Sequence, residues 1–573
     1  MIKKIYKLIF AAFVLFGQTG CLDLDPQDQI GGDKMWATES DFKNFANIFY
    51  DWLPDFSTVY DNGSVHSDSR SDILSYTSVN IYSKGTNAVP AADGDYTNLY
   101  AHLRRCNLLL QNAEGFGKQD AIKQYVGEAY FFRAFCHFEL VQRYGDVIIV
   151  TEPLDLDSPE LRQARNNRSE VIDLVIDDLN KAVQNLSPAA EISEDGRVSR
   201  EAAYAYLSRV ALYEGTWQKF HNSNTARASE LLTKAANAAK TVIEGKQYSL
   251  FGTSGTSVQL GDSAQKYLFI LEDVQSNPAN CTKSDNHEYI LAKRHDTTLL
   301  PIGRDITNQC VNNPQWITRN FAQLYLCDDG LPIEKSSRFQ GYDKMRSEFQ
   351  NRDNRMRYTL LQPHSLYWKG NSRPRTSWEN GATDNALTYD GQNGSGYNNQ
   401  KWGSEREVTS TEEGYDWPVI RYAEVLLNYA EAVYERDDKI SDGDLDYSLN
   451  LVRNRVNANM PKLSNSLVNA NGLSMREEIR RERTVELYQE GFRIDDLKRW
   501  AQAAIMNNPL LGVKYVGTEF QSSGWNGTNL AKNGEGCLIL DQERTWTDKN
   551  YLLPLPTDQL TLNPNLKQNP GWE

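Results

Sequence analysis

The sequence contains few cysteines, and their spacing excludes the usual structural zinc motifs. Seven cysteines are spread over 573 residues, with no CxxC pair and no histidines at zinc-finger spacing. Cys106 and Cys136 fall within helical patterns, where a buried free thiol is the usual outcome. Disulfides among the six cysteines that follow Cys21 remain open, because spacing alone does not define a pairing. The sequence predicts neither a structural metal ion nor a cofactor.

Common catalytic motifs are also absent. Residues 252–255 (GTSG) lack the spacing of a nucleophile elbow, His287-Glu288 has no second histidine four residues after the first, and no Walker loop occurs. A glycosidase needs only two carboxylates, and sequence spacing does not reveal such a pair. The 76 acidic residues therefore neither support nor exclude that activity.

No apolar run at the N-terminus is long enough for a membrane-spanning helix. Three lysines within residues 1–7 precede the apolar residues 8–16, which is the order of a secretory signal. A spanning helix needs ~20 apolar residues, so an export signal is the better interpretation. Residues 1–20 are predicted to be a signal peptide.

The four residues Gln18-Thr19-Gly20-Cys21 resemble the bacterial lipobox, whose cysteine is acylated and becomes the new N-terminus. Cys21 is therefore the predicted lipidation site, and several acyl chains on one residue anchor a protein firmly. The alternative is a soluble exported protein in which Cys21 is an ordinary cysteine. Residues 21–30 are acidic and without periodicity, which predicts a lipidated tether.

Basic residues are outnumbered by acidic ones, 61 against 76, for a net charge of −15. Removal of residues 1–20 takes away three lysines and no acid, which leaves −18. Such a charge disfavours nucleic acid and anionic headgroups as partners. Aromatic residues are plentiful, with 12 Trp and 30 Tyr, more than a core requires. The surplus suggests a binding surface.

Residues 31–573 show no clear linker and are expected to form one domain. Within it, hydrophobic periodicity separates two helical regions from a loop-rich one. Residues of about 98–245 and 418–500 have the 3.6-residue period of amphipathic helices, and their alternating small and large contact residues suggest tetratricopeptide-like pairs. Helical pattern resumes at Val419. Between about 246 and 416 the period is lost and Gly, Asn, Ser and Thr cluster around aromatics, which predicts a loop-rich, ligand-binding half with short strands.

One predicted helix, near residues 475–490, is dense in alternating Arg and Glu. Glu477 and Arg481 form a favourable i,i+4 pair, and the whole face is an ion ladder. We interpret it as a solvated or inter-helix salt-bridged face without a catalytic role.

Several stretches together resemble the SusD/RagB family of outer-membrane nutrient-binding lipoproteins. In chain order they are GEAYFFRA at 127–134, YGD at 144–146, DDGLP at 328–332, RDNR at 352–355, IRYAEVLL at 420–427, RRERTVELYQEG at 480–491, DLKRW at 496–500, LPLP at 553–556 and NPGW at 569–572. Their order and spacing, together with the lipobox, cover almost the whole mature chain.

The resemblance implies a mostly α SusD-like fold, in which a tetratricopeptide-like platform carries an irregular half with short strands. It further implies a non-enzymatic lipoprotein of the outer membrane that faces the cell exterior. Members capture oligosaccharide or polysaccharide and deliver it to a SusC-like TonB-dependent transporter. The family's recurring motifs locate no ligand residue, and the binding site varies among members.

Sugar recognition requires flat apolar faces for ring C–H groups and carboxylates, amides or guanidinium groups for hydroxyls. Residues 55–85 and 364–402 supply both, and we expect them to converge on one shallow glycan site. The ligand-binding candidates are Tyr60, Asp61, Asn62, Asp68, Asp72 and Tyr82 in the first region, and Trp368, Arg373, Trp378, Tyr389, Tyr397 and Trp402 in the second.

Two other functions remain open. The ligand could be a peptide, as the RagB side of the family permits, because aromatic loops alone do not separate a peptide from a glycan. A surface glycoside hydrolase is the weaker alternative.

Overall fold

Helices are the main regular secondary structure in this computed structural model, which describes residues 35–57, 61, 63–76, 80–194, 196–307, 315–363, 394–406, 411–523 and 530–573. In chain order the α-helices are α1 (Glu39–Asn47), α2 (Gly94–Glu114), α3 (Gln119–Tyr144), α4 (Arg168–Asn185), α5 (Arg200–Phe220), α6 (Thr225–Gly245), α7 (Ala264–Tyr267), α8 (Arg319–Ala322), α9 (Asn354–Thr359), α10 (Tyr422–Asp437), α11 (Asp442–Tyr447), α12 (Leu449–Asn454), α13 (Asn465–Asn471), α14 (Met475–Glu486), α15 (Arg493–Arg499), α16 (Glu519–Ser522) and α17 (Thr557–Leu562).

The described strands are short and pair only in twos, always antiparallel. The pairs are β1 (Leu74–Tyr76) with β3 (Gln315–Ile317), β2 (Tyr289–Lys293) with β6 (Trp417–Arg421), β4 (Leu360–Leu361) with β5 (Asn398–Asn399), and β7 (Leu510–Lys514) with β8 (Cys537–Asp541). Each pair joins distant parts of the chain or closes a local hairpin. The strands therefore hold loops together and do not form an extended β-sheet. The fold class is therefore mostly α.

Helices α2 to α6 pack in chain order, each against the next, and α10 packs across α5 and α6. Small residues allow the close approach. A Cβ atom on Gly215 of α5 would lie 2.9 Å from the Leu232 side chain of α6. The buried stripes of these helices, from Leu103 to Ile243, belong to the main hydrophobic core. This arrangement is the helix-pair platform that the periodicity indicated.

One predicted helix start agrees with the structure, and another does not. The Asn167 side chain accepts a hydrogen bond from the Glu170 amide at 3.0 Å and starts α4. At Val419 the helical expectation was wrong, since residues 417–421 form β6 and α10 begins only at Tyr422. Strand β6 is extended because it pairs with β2, a long-range contact that a local pattern does not contain.

The charged helix α14 is largely buried, and its ion pairs run between elements. Arg421, at the end of β6, bonds the Glu486 carboxylate at 2.8 Å and the Glu490 carboxylate at 2.7 Å. Arg355 from α9 also reaches Glu486, at 3.0 Å. Burial opposes ionisation of Glu486, but the surrounding guanidinium groups, Arg455 foremost, hold its pKa well below the usual range. The inter-helix salt-bridged face that the sequence indicated thus joins the platform to the irregular half.

A second, smaller core lies under β1, β3 and β7. It is built from residues such as Ile73, Leu74, Ile317 and Phe321, with Tyr488 stacked on Phe321 at 4.2 Å. Through Ile73 and Leu74 this core supports residues 63–76, which belong to the first predicted ligand region.

Five cysteines lie in the described residues, Cys106, Cys136, Cys281, Cys327 and Cys537, and all are buried free thiols. Cys21 and Cys310 lie outside the described residues. None of the helices in the described part of the chain is long and apolar enough to cross a membrane.

Candidate functional site

An exposed ion pair at the end of the first ligand region brings together residues that are far apart in the sequence. Both terminal nitrogens of Arg304 lie 3.1 Å from the Asp61 carboxylate, and both side chains remain open to solvent. Tyr76, half-buried at the end of β1, lies close enough for both charges to act on its phenol. Burial and the Asp61 anion raise the pKa of Tyr76, and Arg304 partly offsets them. We call Asp61, Tyr76 and Arg304 the Arg304 cluster.

Tyr76 also lines a cleft that opens between residues 69–84 and residues 539–544. Its volume is about 280 Å³. The other lining side chains are mostly polar and include Ser75, Asn80 and Lys84. Lys84 pairs with the exposed Glu543 at 2.8 Å across the cleft. The site therefore combines one aromatic ring with charged and hydroxyl groups, the chemistry expected for a polyhydroxylated ligand.

Strand pairing positions Tyr76. In β1 the partners of Ser75 and Tyr76 are Trp316 and Gln315 of β3. The Gln315 side chain in turn accepts a hydrogen bond from Gln489 at 3.2 Å, which ties the strand pair to the end of the charged helix region.

Two of the predicted ligand carboxylates anchor the segment instead of facing solvent. Asp72 is buried, and its carboxylate accepts hydrogen bonds from Nε and one terminal nitrogen of Arg493, at 2.8 and 2.9 Å. Although burial opposes it, Arg493 lowers the pKa of Asp72. Asp68 is fully buried and accepts the Gln489 amide at 2.7 Å, and burial raises its pKa to about 7. In this structure both carboxylates hold residues 65–72 against α15.

His66, in the same region, completes this anchorage. Its two ring nitrogens lie 2.6 Å from the Asp495 carboxylate and 3.0 Å from the Glu139 carboxylate. Burial would lower its pKa, but Glu139 and Asp495 raise it to about 9, so the ring is an imidazolium at neutral pH. The first predicted ligand region is thus fixed to α3 and α15 by a charged contact.

Tyr82 is covered by a cation. The Arg70 guanidinium lies 4.0 Å from its ring centroid, a cation–π contact that occupies one face. Tyr82 remains half-buried, so part of its side chain is still open to solvent.

Tyr397 and Trp402 lie in the core and present no surface to a ligand. Trp402 is 0% exposed, stacks on Trp417 at 5.1 Å, and meets Phe56 edge to face at 5.1 Å. Tyr397 is 1% exposed and donates its hydroxyl to Glu348 at 2.8 Å. A large apolar ring gains more from full burial than from half-exposure on a loop, which accounts for the placement. The two regions therefore do meet, through Phe56 and Trp402, but inside the protein.

The remaining candidates lie outside the described residues. They are Tyr60 and Asn62 in the first region, Trp368, Arg373, Trp378 and Tyr389 in the second, and the lipidation residue Cys21. Their role stays a prediction.

Sequence reasoning missed Tyr76, Arg304 and the cleft wall at 539–544. Tyr76 lies within the first predicted region, but nothing local to its position distinguished it from the other tyrosines there. Arg304 follows a glycine in the loop-rich half, which is a weak signal, and 243 residues separate it from Asp61. No local pattern connects either to residues 539–544.

Within the described residues, no group of three or more His, Cys, Asp or Glu side chains could hold a metal ion. The candidate site therefore offers hydrogen bonds, charge and one aromatic ring. A helical platform that carries an irregular half with a polar surface cleft is an arrangement suited to ligand binding.

Comparison with known families agrees with this arrangement. The family model described as "SusD family" matches residues 275–572, just over half of the chain. A second model, described as "Starch-binding associating with outer membrane", matches residues 22–212. The chain belongs to the SusD family.

Individual relatives are distant. A SusD-like protein of Formosa agariphila is 27% identical over 238 residues, which cover 38% of this chain and 44% of that relative, less than half of its length. Two solved structures from Bacteroides fragilis share the fold. A SusD-like carbohydrate binding protein has a TM-score of 0.71 at 20% identity and covers 93% of this chain and 100% of its own. A further SusD-like protein has a TM-score of 0.70 at 23% identity, with 95% and 99% covered.

Proposed function

We propose that this protein is a glycan-binding lipoprotein of the cell surface, which captures oligosaccharide or polysaccharide and delivers it to a SusC-like TonB-dependent transporter. The observation that carries the proposal is the exposed Arg304 cluster on a chain of the SusD family. The carbohydrate-binding description of a structural neighbour with the same fold supports it.

The Arg304 cluster has the chemistry that sugar hydroxyls require. Asp61 accepts hydrogen bonds, Arg304 donates them in a fixed fork, and Tyr76 adds a ring for C–H groups. Because the Asp61–Arg304 pair is exposed, it contributes only about 0.2–1 kcal/mol to stability, so its groups turn toward a ligand at low cost. Among the ligand candidates named from the sequence, Asp61 belongs to this cluster and is exposed.

The test is isothermal titration of residues 22–573 against plant, microbial and host polysaccharides and their oligosaccharides. We expect one glycan class to bind selectively. Replacement of Arg304 by alanine should weaken that binding about 10–100-fold, since a hydrogen bond from a charged group contributes about 1.5–3 kcal/mol. Lys335, exposed and remote from the cluster in sequence, provides a matched control, and K335A should bind normally. Equal affinity of R304A and the wild type would remove the cluster from the site.

A peptide ligand is the alternative, and the same titration decides it. If no glycan binds and peptides do, the proposal is replaced by a RagB-like, peptide-binding function. A surface glycoside hydrolase is the weaker alternative, and shortening of the bound glycan during the titration would favour it.

The lipid anchor and the outward orientation belong to the same proposal. Cys21 follows a lipobox, and the acidic tether after it keeps the domain near the membrane surface. We expect C21S to abolish membrane retention, and protease treatment of intact cells to remove the protein. Full protection from protease would place the domain on the periplasmic side. Recovery of a TonB-dependent transporter with the tagged wild type, and not with a control lipoprotein, tests the partner.

A further inference from the structure

A second cleft, on another part of the irregular half, is larger than the one at Tyr76. It lies between residues 328–362 and residues 456–461 and has a volume of about 850 Å³. Residues of two stretches that carry the family resemblance, 328–332 and 352–355, form part of its wall, and the segment between them, which includes residues 346–350, supplies the rim. We call it the 350 cleft.

The base of the 350 cleft is fixed by hydrogen bonds that join its two walls. The Asn354 amide donates to the Asn457 side chain at 2.8 Å, and the Asn354 side chain donates to the Val456 carbonyl at 2.6 Å. Asn457 in turn donates to the buried Asp353 at 2.8 Å. A cleft whose walls are joined in this way is already formed before a ligand arrives, which lowers the entropic cost of binding.

Positive and negative side chains are equal in number in the lining of the 350 cleft. The cleft contains four aspartates and four arginines, with no Glu, Lys or His. Arg338 pairs with Asp328 at 2.6 Å, and Arg357 pairs with Asp262. Balanced charge does not select an anionic or a cationic ligand, so a neutral one fits best.

Side chains at the rim have hydrogen-bonding groups to offer. Arg346 and Gln350 are exposed, and within the described residues Arg346 makes no ion pair. Six Asn and Gln side chains line the cleft, and Phe349, half-buried, adds an apolar face. Amides, carboxylates and guanidinium groups beside one aromatic ring are what sugar hydroxyls and ring C–H groups require.

We propose that the 350 cleft is a second binding site, distinct from the Arg304 cluster, for a neutral oligosaccharide. The inference rests on the proposed glycan-binding function, and it adds that one chain holds two glycan segments. A polysaccharide that engages both sites would then be retained more strongly than a short oligosaccharide, because the second contact is intramolecular.

The test is titration of residues 22–573 with neutral hexasaccharides, namely maltohexaose, cellohexaose, xylohexaose and mannohexaose. For a hexasaccharide that binds, we expect two molecules per wild-type chain. The double variant R346A/Q350A should retain one, with the affinity of the lost site reduced at least tenfold, and R304A should also retain one. K344A, an exposed substitution on the same segment outside the cleft lining, should retain two. Unchanged melting temperatures show that the variants are folded.

The possible failures can be distinguished. One molecule per wild-type chain, lost in R304A and kept in R346A/Q350A, would overturn the second site and leave the proposed function intact. Loss of all binding in R346A/Q350A with normal binding in R304A would keep the 350 cleft as a site and remove the Arg304 cluster. If none of the four hexasaccharides binds and peptides do, both proposals are overturned.

Discussion

Replacement of Trp402 by alanine separates a core role from a ligand role at this residue. The indole is fully buried against Phe56, Phe269, Tyr415 and Trp417. Truncation of such a ring to alanine costs about 3–5 kcal/mol, from lost burial and the cavity that remains. With about 2.1 cal/mol/K of unfolding entropy per residue, the unfolding entropy of a chain of this length is about 1.2 kcal/mol/K. The melting temperature should therefore fall by about 3–4 °C.

Calorimetry of the mature chain gives the melting temperature, and titration at 20 °C gives the glycan affinity of the folded variant. We expect W402A to melt earlier and to bind within about twofold of the wild type. W402F is the matched control, since the Trp402 indole nitrogen has no hydrogen-bond partner among the described residues and phenylalanine keeps most of the apolar contact. A tenfold loss of affinity at an unchanged melting temperature would refute the core assignment.

Three further substitutions test the supports of the site. H66Q should lower the melting temperature most near pH 6 and little above pH 9.5. The pKa of His66 is about 9 in the folded protein and about 6.5 in the unfolded chain, so the protonated ring stabilises the fold fully below pH 6.5, and this stabilisation is lost as the pH rises through 9. A difference in melting temperature that does not depend on pH would contradict this reasoning. R421M removes one guanidinium partner from each of the buried Glu486 and Glu490 carboxylates, and calorimetry should show a loss of about 3–5 kcal/mol, whereas an unchanged melting temperature would count against the buried network. G215V would push its side chain into Leu232, so it should also melt earlier, and a melting temperature equal to that of the wild type would show that α5 and α6 can separate without cost.

The helical platform was predictable because its signals are local. Helix α4 shows the reason, since Asn167 caps it and its apolar residues recur at 3.6-residue spacing up to Leu186. Strand β6 shows the limit of such reasoning. Its residues resemble the start of a helix, and only the pairing with β2 makes them extended.

The candidate site shows the same division. Sequence pattern pointed to residues 55–85 as ligand-bearing, and Asp61 and Tyr82 there retain exposed surface. Asp68 and Asp72 were predicted for the same carboxylate chemistry, yet each accepts a hydrogen bond from a residue more than 400 positions away in the chain, Gln489 and Arg493 respectively. A carboxylate looks the same in a sequence whether it faces solvent or a buried guanidinium.

The sequence by itself determined the helical class and the family, and it predicted the export signal, because each depends on residues that are adjacent or periodically spaced. Only the tertiary structure decided which polar and aromatic side chains reach the surface. Trp402 became core and Arg304 came to lie beside Asp61 through packing between distant segments. Those contacts depend on the free energy of burying and pairing groups that the chain brings together only when it folds.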